Sequence, residues 1–149
     1  MSVEENIALM RRWFKEVWNE KRLETIHELL APDAVGIGEL EDGGKFHGPD
    51  EFVPFAKRIH AAFPDIKVTV EDAFGVGDKV VLRWFADMTH RGDDLGMPAS
   101  GRPVHITGIT IARIANGQVI EGWDNWDQLA MLKQIGAYQA TQAELKKSA

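Results

Sequence analysis

The chain has 149 residues and a formal net charge of −6, from 17 Lys and Arg and 23 Asp and Glu residues. This length is typical of one domain that buries a sizeable core and folds without a metal or a disulfide. The acidic balance argues against a nucleic-acid partner, because a negative surface repels phosphate backbones. The absence of cysteine excludes disulfides, a cysteine nucleophile and thiolate metal sites.

The N-terminal residues and the length of the apolar runs predict where the protein is located in the cell. Residues Met1 to Asn6 are acidic and lack the basic start and apolar core of a signal peptide. The apolar runs fall short of the roughly 20 residues that a membrane span requires. We therefore expect a cytoplasmic protein with no membrane partner, built as one domain over residues 1–149 with a peripheral tail from residue 136.

Apolar residues at helical spacing predict helices in the first part of the chain. The first helix carries the stripe from Ile7 to Trp18, and the second covers residues 23–30. A short strand is expected over residues 34–40. A third helix begins near Gly48-Pro49-Asp50, since proline suits a first helical turn, while Pro54 predicts a late start or a kink.

From Ile66 the apolar period changes to two, which predicts strands. The expected order is a strand from Ile66, a turn at Gly77-Asp78, a strand over Lys79–His90, a loop over Arg91–Gly101, a strand over Pro103–Ile114, a turn at Asn116-Gly117, a strand over Gln118–Trp126 and a short helix capped by Gly136. Helices followed by an antiparallel meander predict an α+β fold. In it a curved antiparallel sheet packs on the N-terminal helices around a cone-shaped pocket for a small-molecule ligand.

One face of the three long strands is the more apolar, and we predict that this face points into the pocket. It carries Val80, Leu82, Trp84, Ala86, Met88 and His90, then Val104, Ile106, Gly108, Thr110, Ala112 and Ile114, then Ile120, Gly122, Asp124 and Trp126. The opposite face carries Ile109, Ile111, Val119 and Trp123. Since a monomer rarely exposes so much apolar surface in one patch, we expect a homodimer or higher homo-oligomer through that outer face.

Three polar groups on the inner face, His90, Thr110 and Asp124, are candidates for chemistry. A carboxylate among tryptophans and isoleucines is desolvated, which raises its pKa and suits a general acid or base. Other interpretations stay open at this point. Asp124 can instead cap the next helix or accept a bond from a nearby hydroxyl, His90 can bond loop backbone at the rim, and Thr110 can be an ordinary strand residue.

The order and spacing of several short motifs resemble the SnoaL-like polyketide cyclases, also called ester cyclases. These motifs are Phe63-Pro64-Asp65, Thr89-His90, Gly96 to Arg102, Arg113 to Gly117, Glu121-Gly122-Trp123-Asp124 and Leu132 to Gly136. The resemblance spans most of the chain between Gly48 and Gly136. It implies the nuclear-transport-factor-2-like (cystatin-like) barrel, no cofactor and frequent oligomers.

The same resemblance implies roles for particular residues. In the cyclases an aspartate on the last strand is the acid/base of an intramolecular aldol ring closure, and it matches Asp124 here. Their threonine-histidine pair matches Thr89-His90, and helix positions that face the substrate match Trp18 and Phe55. Where the cyclases have a second active-site histidine, this chain has Thr110.

The leading hypothesis is a cofactor-free enzyme that acts on a bulky, carbonyl-bearing, polyketide-like molecule. Asp124 moves a proton, His90 polarises or orients the substrate, and the pocket walls are Trp18, Phe55, Trp84, Met88, Thr110 and Trp126. The reaction can be a cyclisation, hydroxylation, isomerisation or hydrolysis. A second hypothesis is a binding or carrier protein of the same fold, and a third is a structural subunit of a larger assembly.

Overall fold

A computed structural model describes residues 1–138, which form four α-helices, one π-helical segment and six strands. In chain order they are α1 (Val3–Trp13), the π-helical segment (Phe14–Asn19), α2 (Glu24–Leu29), β1 (Leu30–Ile37), β2 (Lys45–His47), α3 (Gly48–Ala62), β3 (Lys67–Val76), β4 (Lys79–Thr89), β5 (Pro103–Ala115), β6 (Gln118–Trp126) and α4 (Gln128–Gln134). None of the helices in this part of the chain is both long and apolar enough to cross a membrane. The expected C-terminal tail falls, from residue 139 onward, outside the described residues.

The six strands form one sheet in the order β2-β1-β6-β5-β4-β3. Helices α1 and α3 pack against this curved sheet, which confirms the predicted α+β class and cone-shaped architecture. The sheet is mixed, because β1 runs parallel to β6 while the other neighbouring strands are antiparallel. The parallel pairing brings the end of β1 beside the middle of β6. It thereby sets the position of Glu39, a residue shortly after β1 that the sequence pattern did not indicate.

The inner face predicted for β4 and β5 is confirmed. Even-numbered residues from Val80 to Met88 and from Val104 to Ile114 are buried, and their neighbours on the other face are half-buried or exposed. The turn between β5 and β6 is tight, with Asn116 at φ 52° and Gly117 at φ 74°, as the Asn-Gly signal predicts.

The inner face predicted for β6 was wrong at its beginning. Ile114 pairs with Val119 but Arg113 pairs with Glu121, so β6 carries one extra residue in a β-bulge. Because the bulge shifts the phase, Val119 turns inward and is 6% exposed, whereas Ile120 is only half-buried. Beyond the bulge the predicted phase holds again from Gly122 onward.

The bounds of the first strand differ from the sequence prediction, since β1 covers Leu30–Ile37 instead of residues 34–40. Helix α3 begins at Gly48, as predicted, and continues without a late start through Pro54 in its interior. A proline inside a helix removes one backbone hydrogen bond. Buried residues on both sides of it, Phe52 and Phe55, show that packing outweighs this loss, since tertiary contacts supply most helical stability in proteins.

The π-helical segment is fastened to the sheet by Asn19. The Asn19 amide donates to the carbonyl oxygen of Val68 at 2.9 Å, and its oxygen accepts from the backbone N–H of Val68 at 2.7 Å. A side chain that bonds both groups of one backbone residue acts like a short piece of strand pairing. This contact fixes where Trp18, the residue before Asn19, enters the core.

We expect Asn19→Ala to lower the free energy of unfolding by about 1–3 kcal/mol, because two hydrogen bonds to Val68 are lost. Urea unfolding followed by tryptophan fluorescence measures the change. The matched control is Asn125→Ala, at an exposed position of β6, which should change stability by less than about 0.5 kcal/mol. Equal effects of the two substitutions would contradict the assigned role of Asn19.

Candidate active site

A cavity lies between the helices and the inner face of the sheet. Its volume is about 90 Å³. Among the lining side chains that the structure describes, only Glu39, Thr110 and Asp124 carry a carboxyl or hydroxyl group, and the others are apolar or aromatic. Within residues 1–138, no three His, Cys, Asp or Glu side chains form a group that could hold a metal ion. The cavity is therefore an apolar space with one small polar region.

The structure brings together six of the eight residues that the sequence singled out. Those that line the cavity are Trp18, Phe55, Trp84, Thr110, Asp124 and Trp126. The other two, Met88 and His90, are buried in the core at the end of β4 and do not line it. The alternation of β4 identifies the inner face correctly, but packing closes that face beyond Ala86.

The side chain and the backbone of His90 form hydrogen bonds with the loop that follows β4. The ring is 1% exposed, packs on Phe63 with centroids 5.6 Å apart, and its Nδ1 accepts from the backbone N–H of Ser100 at 3.1 Å. Its backbone N–H and carbonyl oxygen bond Arg102 and Gly101. These contacts make His90 the residue that fastens the 91–102 loop, as the rim interpretation of the sequence expected.

Asp124 is held by a relay of side chains from two neighbouring strands. Thr110 lies directly opposite Asp124 in the β5–β6 register, and its hydroxyl donates to Oδ1 of Asp124. The Trp84 indole N–H in turn donates to the Thr110 hydroxyl at 3.0 Å. Gly108 makes this possible, because a Cβ there would lie 2.3 Å from the Trp84 ring.

Helix capping does not consume Asp124. The N-terminus of α4 is capped by Asp127, whose Oδ1 accepts from the backbone N–H of Ala130 at 2.9 Å. Of the two structural interpretations left open by the sequence, the structure shows the hydroxyl bond and not the cap. Asp124 therefore presents a carboxylate to the cavity with one oxygen bonded by Thr110.

Glu39 is a second carboxyl in the cavity, and the sequence analysis missed it. It follows Gly38, whose φ of +82° and missing Cβ let the chain press against the Asp124 carbonyl oxygen, which a Cβ would approach to 2.1 Å. The carbonyl oxygen of Glu39 accepts from the Trp126 indole at 2.9 Å. The side chain lines the same cavity as the carboxyl of Asp124, close enough for each carboxyl to shift the pKa of the other. The local sequence around Glu39 carries no signal of this, since the contact depends on the parallel pairing of β1 with β6.

Burial and mutual proximity change the pKa values of both carboxyls. Desolvation, the charge of Asp124 and the hydrogen bond to it raise the pKa of Glu39 well above its usual value. Desolvation also raises the pKa of Asp124, but hydrogen bonds from Glu39 and Thr110 stabilise its ionised form and oppose the rise. Of the two carboxyls, Asp124 is therefore the one whose ionised form is better stabilised, and Glu39 is the one that keeps its proton more readily.

We expect Thr110→Val to raise the pKa of Asp124 further, because a donor to the ionised carboxylate is removed. It should also lower the free energy of unfolding by about 1–3 kcal/mol, since the Trp84 N–H loses its buried partner. Carboxyl-carbon NMR titration and urea unfolding measure the two effects. Thr107→Val, at an exposed position of the same strand, is the control. An unchanged Asp124 titration would contradict the relay.

Comparison with known proteins gives matches along nearly the whole chain. Residues 8–135 match the family described as SnoaL-like polyketide cyclase. Aklanonic acid methyl ester cyclase DauD of Streptomyces sp. (strain C5) is 27% identical over 131 residues, which cover 87% of this chain and 81% of DauD.

Solved structures agree with this match. A SnoaL-like protein from Jannaschia sp. CCS1 superposes with a TM-score of 0.81 at 28% identity, covering 91% of this chain and 94% of that one. IdmH from Streptomyces antibioticus superposes with a TM-score of 0.76 at 31% identity, covering 88% and 98% of the two chains. The chain belongs to the SnoaL-like polyketide cyclase family.

Proposed function

We propose that the protein is a cofactor-independent enzyme of the cyclase type in which Asp124 transfers the proton. The observation that carries this proposal is the Asp124 carboxylate, which lines a largely apolar cavity and is not used to cap a helix. A desolvated carboxylate with a raised pKa is a suitable base near neutral pH. Membership of the cyclase family supports the same reaction type. The cytoplasmic location expected from the sequence stays a prediction.

The proposed substrate is a bulky polyketide-like molecule that carries carbonyl groups. Trp18, Phe55, Trp84 and Trp126 present large, flat apolar surfaces to the cavity, which suit a ligand built of fused rings. DauD is an aklanonic acid methyl ester cyclase, and its match over 87% of this chain makes that ester the first compound to test.

The proposed step is an intramolecular aldol closure. The Asp124 carboxylate removes a proton from a carbon next to a carbonyl group, which leaves an enolate. The enolate carbon attacks a second carbonyl carbon of the same molecule, forming one carbon–carbon bond, and the resulting alkoxide takes the proton back from Asp124. Atoms and electrons balance without an oxidant or a cofactor. The hydroxyl of Thr110 holds the carboxylate in place throughout.

A second candidate is a carrier that binds the same ligand without changing it. One observation favours it: His90 bonds the 91–102 loop and does not line the cavity. The family resemblance points the same way, since it implies that Thr110 takes the place of a histidine of the cyclases. The two candidates share a ligand and differ only in chemistry. Separate assays of turnover and binding therefore distinguish them.

We expect Asp124→Asn to lower turnover of aklanonic acid methyl ester by about 10²–10⁴-fold, because the base is removed while its shape is kept. Product formation is followed by chromatography, and binding by quenching of tryptophan fluorescence. Asp127→Asn is the control, since asparagine also caps a helix and Asp127 lies outside the cavity lining.

A cavity-filling variant completes this test. Gly122 lines the cavity, and a Cβ there would meet no atom within 4 Å, so Gly122→Ala occupies ligand space without a clash. It should weaken both binding and turnover, whereas Asp124→Asn should weaken turnover alone. A wild-type protein that binds the ester without converting it supports the carrier, and unchanged turnover in Asp124→Asn excludes the proposed base.

We propose further that two copies of the chain pack through the outer face of the sheet. Phe74, Val81, Ile111 and Trp123 are register neighbours in one row across β3, β4, β5 and β6, with Ile109 beside them 47% exposed. The row is bordered by both signs of charge, in the pairs Arg83–Glu71 and Arg113–Glu121. Two copies related by a two-fold axis can therefore match apolar to apolar surface and opposite charges at the rim.

We expect the wild-type protein to sediment as two chains and Ile109→Asp to sediment as one, because a charge in the apolar row is desolvated on association. Analytical ultracentrifugation measures both masses. Lys57→Asp, exposed on α3 away from this face, is the control and should keep the wild-type mass. A monomeric wild-type protein would end this proposal.

A further inference from the structure

We propose that Glu39 is a positioning residue that holds one proton against Asp124 and thereby sets the pH range in which Asp124 works as a base. This inference rests on the function proposed above for Asp124. It concerns a residue that the sequence patterns did not indicate. The argument starts from how the chain fixes Glu39 in place.

The segment from Gly38 to Glu41 is anchored residue by residue. Gly38 presses against the Asp124 carbonyl oxygen, and the carbonyl oxygens of Glu39 and Leu40 accept from Trp126 and from Gln128 at 2.9 and 3.1 Å. The Glu41 carboxylate binds the Arg58 guanidinium through two hydrogen bonds of 2.8 and 3.0 Å. These contacts at four consecutive residues hold the segment in the position that places the Glu39 carboxyl beside Asp124.

The charged groups near Glu39 and Asp124 are engaged elsewhere, so the two carboxyls interact mainly with each other. Within the described residues, Asp124 is the ionisable group that shifts the pKa of Glu39, and only Glu39 and the Thr110 hydroxyl bond the Asp124 carboxyl. Arg58, a cation on the neighbouring helix α3, is bound to Glu41. Among residues 1–138, no cation contributes to the pKa shift of either carboxyl, so none neutralises a second negative charge there.

Two carboxyls in a desolvated site do not both ionise readily, so they lose their protons in two separate steps. After the first step Glu39 keeps its proton and donates it in a hydrogen bond to ionised Asp124, which turns the carboxylate in a fixed direction. After the second step the site holds two negative charges and opposes the negative enolate. Asp124 is then an effective base only between the two steps.

The first experiment needs no substrate. In wild-type protein labelled with ¹³C at its carboxyl carbons, the Asp124 resonance should titrate in two steps. In Glu39→Gln it should titrate in one, because glutamine bonds Asp124 but cannot ionise. Glu4→Gln, exposed in the first turn of α1, is the control and should keep both steps. A single step in the wild-type protein would overturn the proposal.

Thermal unfolding gives an independent measure. Because the folded pKa of Glu39 is raised above its ordinary value of 4.5, folding retains a proton that the unfolded chain releases, so stability falls as pH rises above that value. Glu39→Gln lacks this loss. The Tm of Glu39→Gln should increase relative to that of the wild type as pH rises. The increase should be about 3 °C for each pH unit by which the folded pKa of Glu39 exceeds 4.5. A constant Tm difference between about pH 5 and about pH 9 would contradict the shared proton.

The rate profile connects the pair to catalysis. If aklanonic acid methyl ester is turned over, the wild-type kcat/KM should fall at high pH, and Glu39→Gln should lose that high-pH limb. Glu39→Asp, which can still ionise, should restore it. If the wild type shows no turnover, the enzyme proposal fails while the NMR and Tm results still decide whether Glu39 holds the proton. An identical rate profile in Glu39→Gln would reduce Glu39 to a structural residue.

Discussion

The whole site depends on keeping one negative charge in an apolar cavity. An isolated carboxylate in such surroundings costs several kcal/mol, and it ionises only if donors replace the water it has lost. Here Thr110 donates to Asp124 from the neighbouring strand. In the proposed arrangement, Glu39 donates from the segment that follows β1. The Trp84 indole supports Thr110 from a third strand. The charge is therefore stabilised by groups that only the complete sheet brings together.

The register of the sheet explains why part of this site follows from the sequence. Strict alternation along β4 and β5 identifies the inner face, and the Asn-Gly turn fixes where β6 returns, so Thr110 and Asp124 were predicted on one face. The bulge near Val119 changed the phase of β6 and escaped prediction, because an extra residue is visible only in the pairing of two strands. Since the predicted phase resumes at Gly122, the error at Ile120 did not reach Asp124.

Other parts of the site depend on packing that a sequence pattern does not contain. Alternation assigns His90 to the inner face, but the depth of the cavity along β4 is decided by neighbouring elements, and Phe63 and the 91–102 loop enclose the ring. The sequence did not identify Glu39 as a site residue, and the reason is different. It lies outside regular structure, and it meets Asp124 only because β1 pairs in parallel with a strand more than eighty residues away along the chain.

The cost of the acid pair favours an enzyme over a carrier. A protein that only binds an apolar ligand gains nothing from two desolvated carboxyls, because well-packed apolar residues of similar volume in their place are often neutral or stabilising. In this chain Gly38 and the anchored segment that it begins position Glu39 beside Asp124. The bond from Trp84 to Thr110 in turn supports the hydroxyl that holds Asp124. Contacts that hold two desolvated carboxyls together are expected where one of them must change its protonation state during a reaction. A base needs a pKa near the working pH and a fixed direction. The arrangement raises the pKa of Asp124 and holds its carboxylate through Thr110, and the proposed base requires both features.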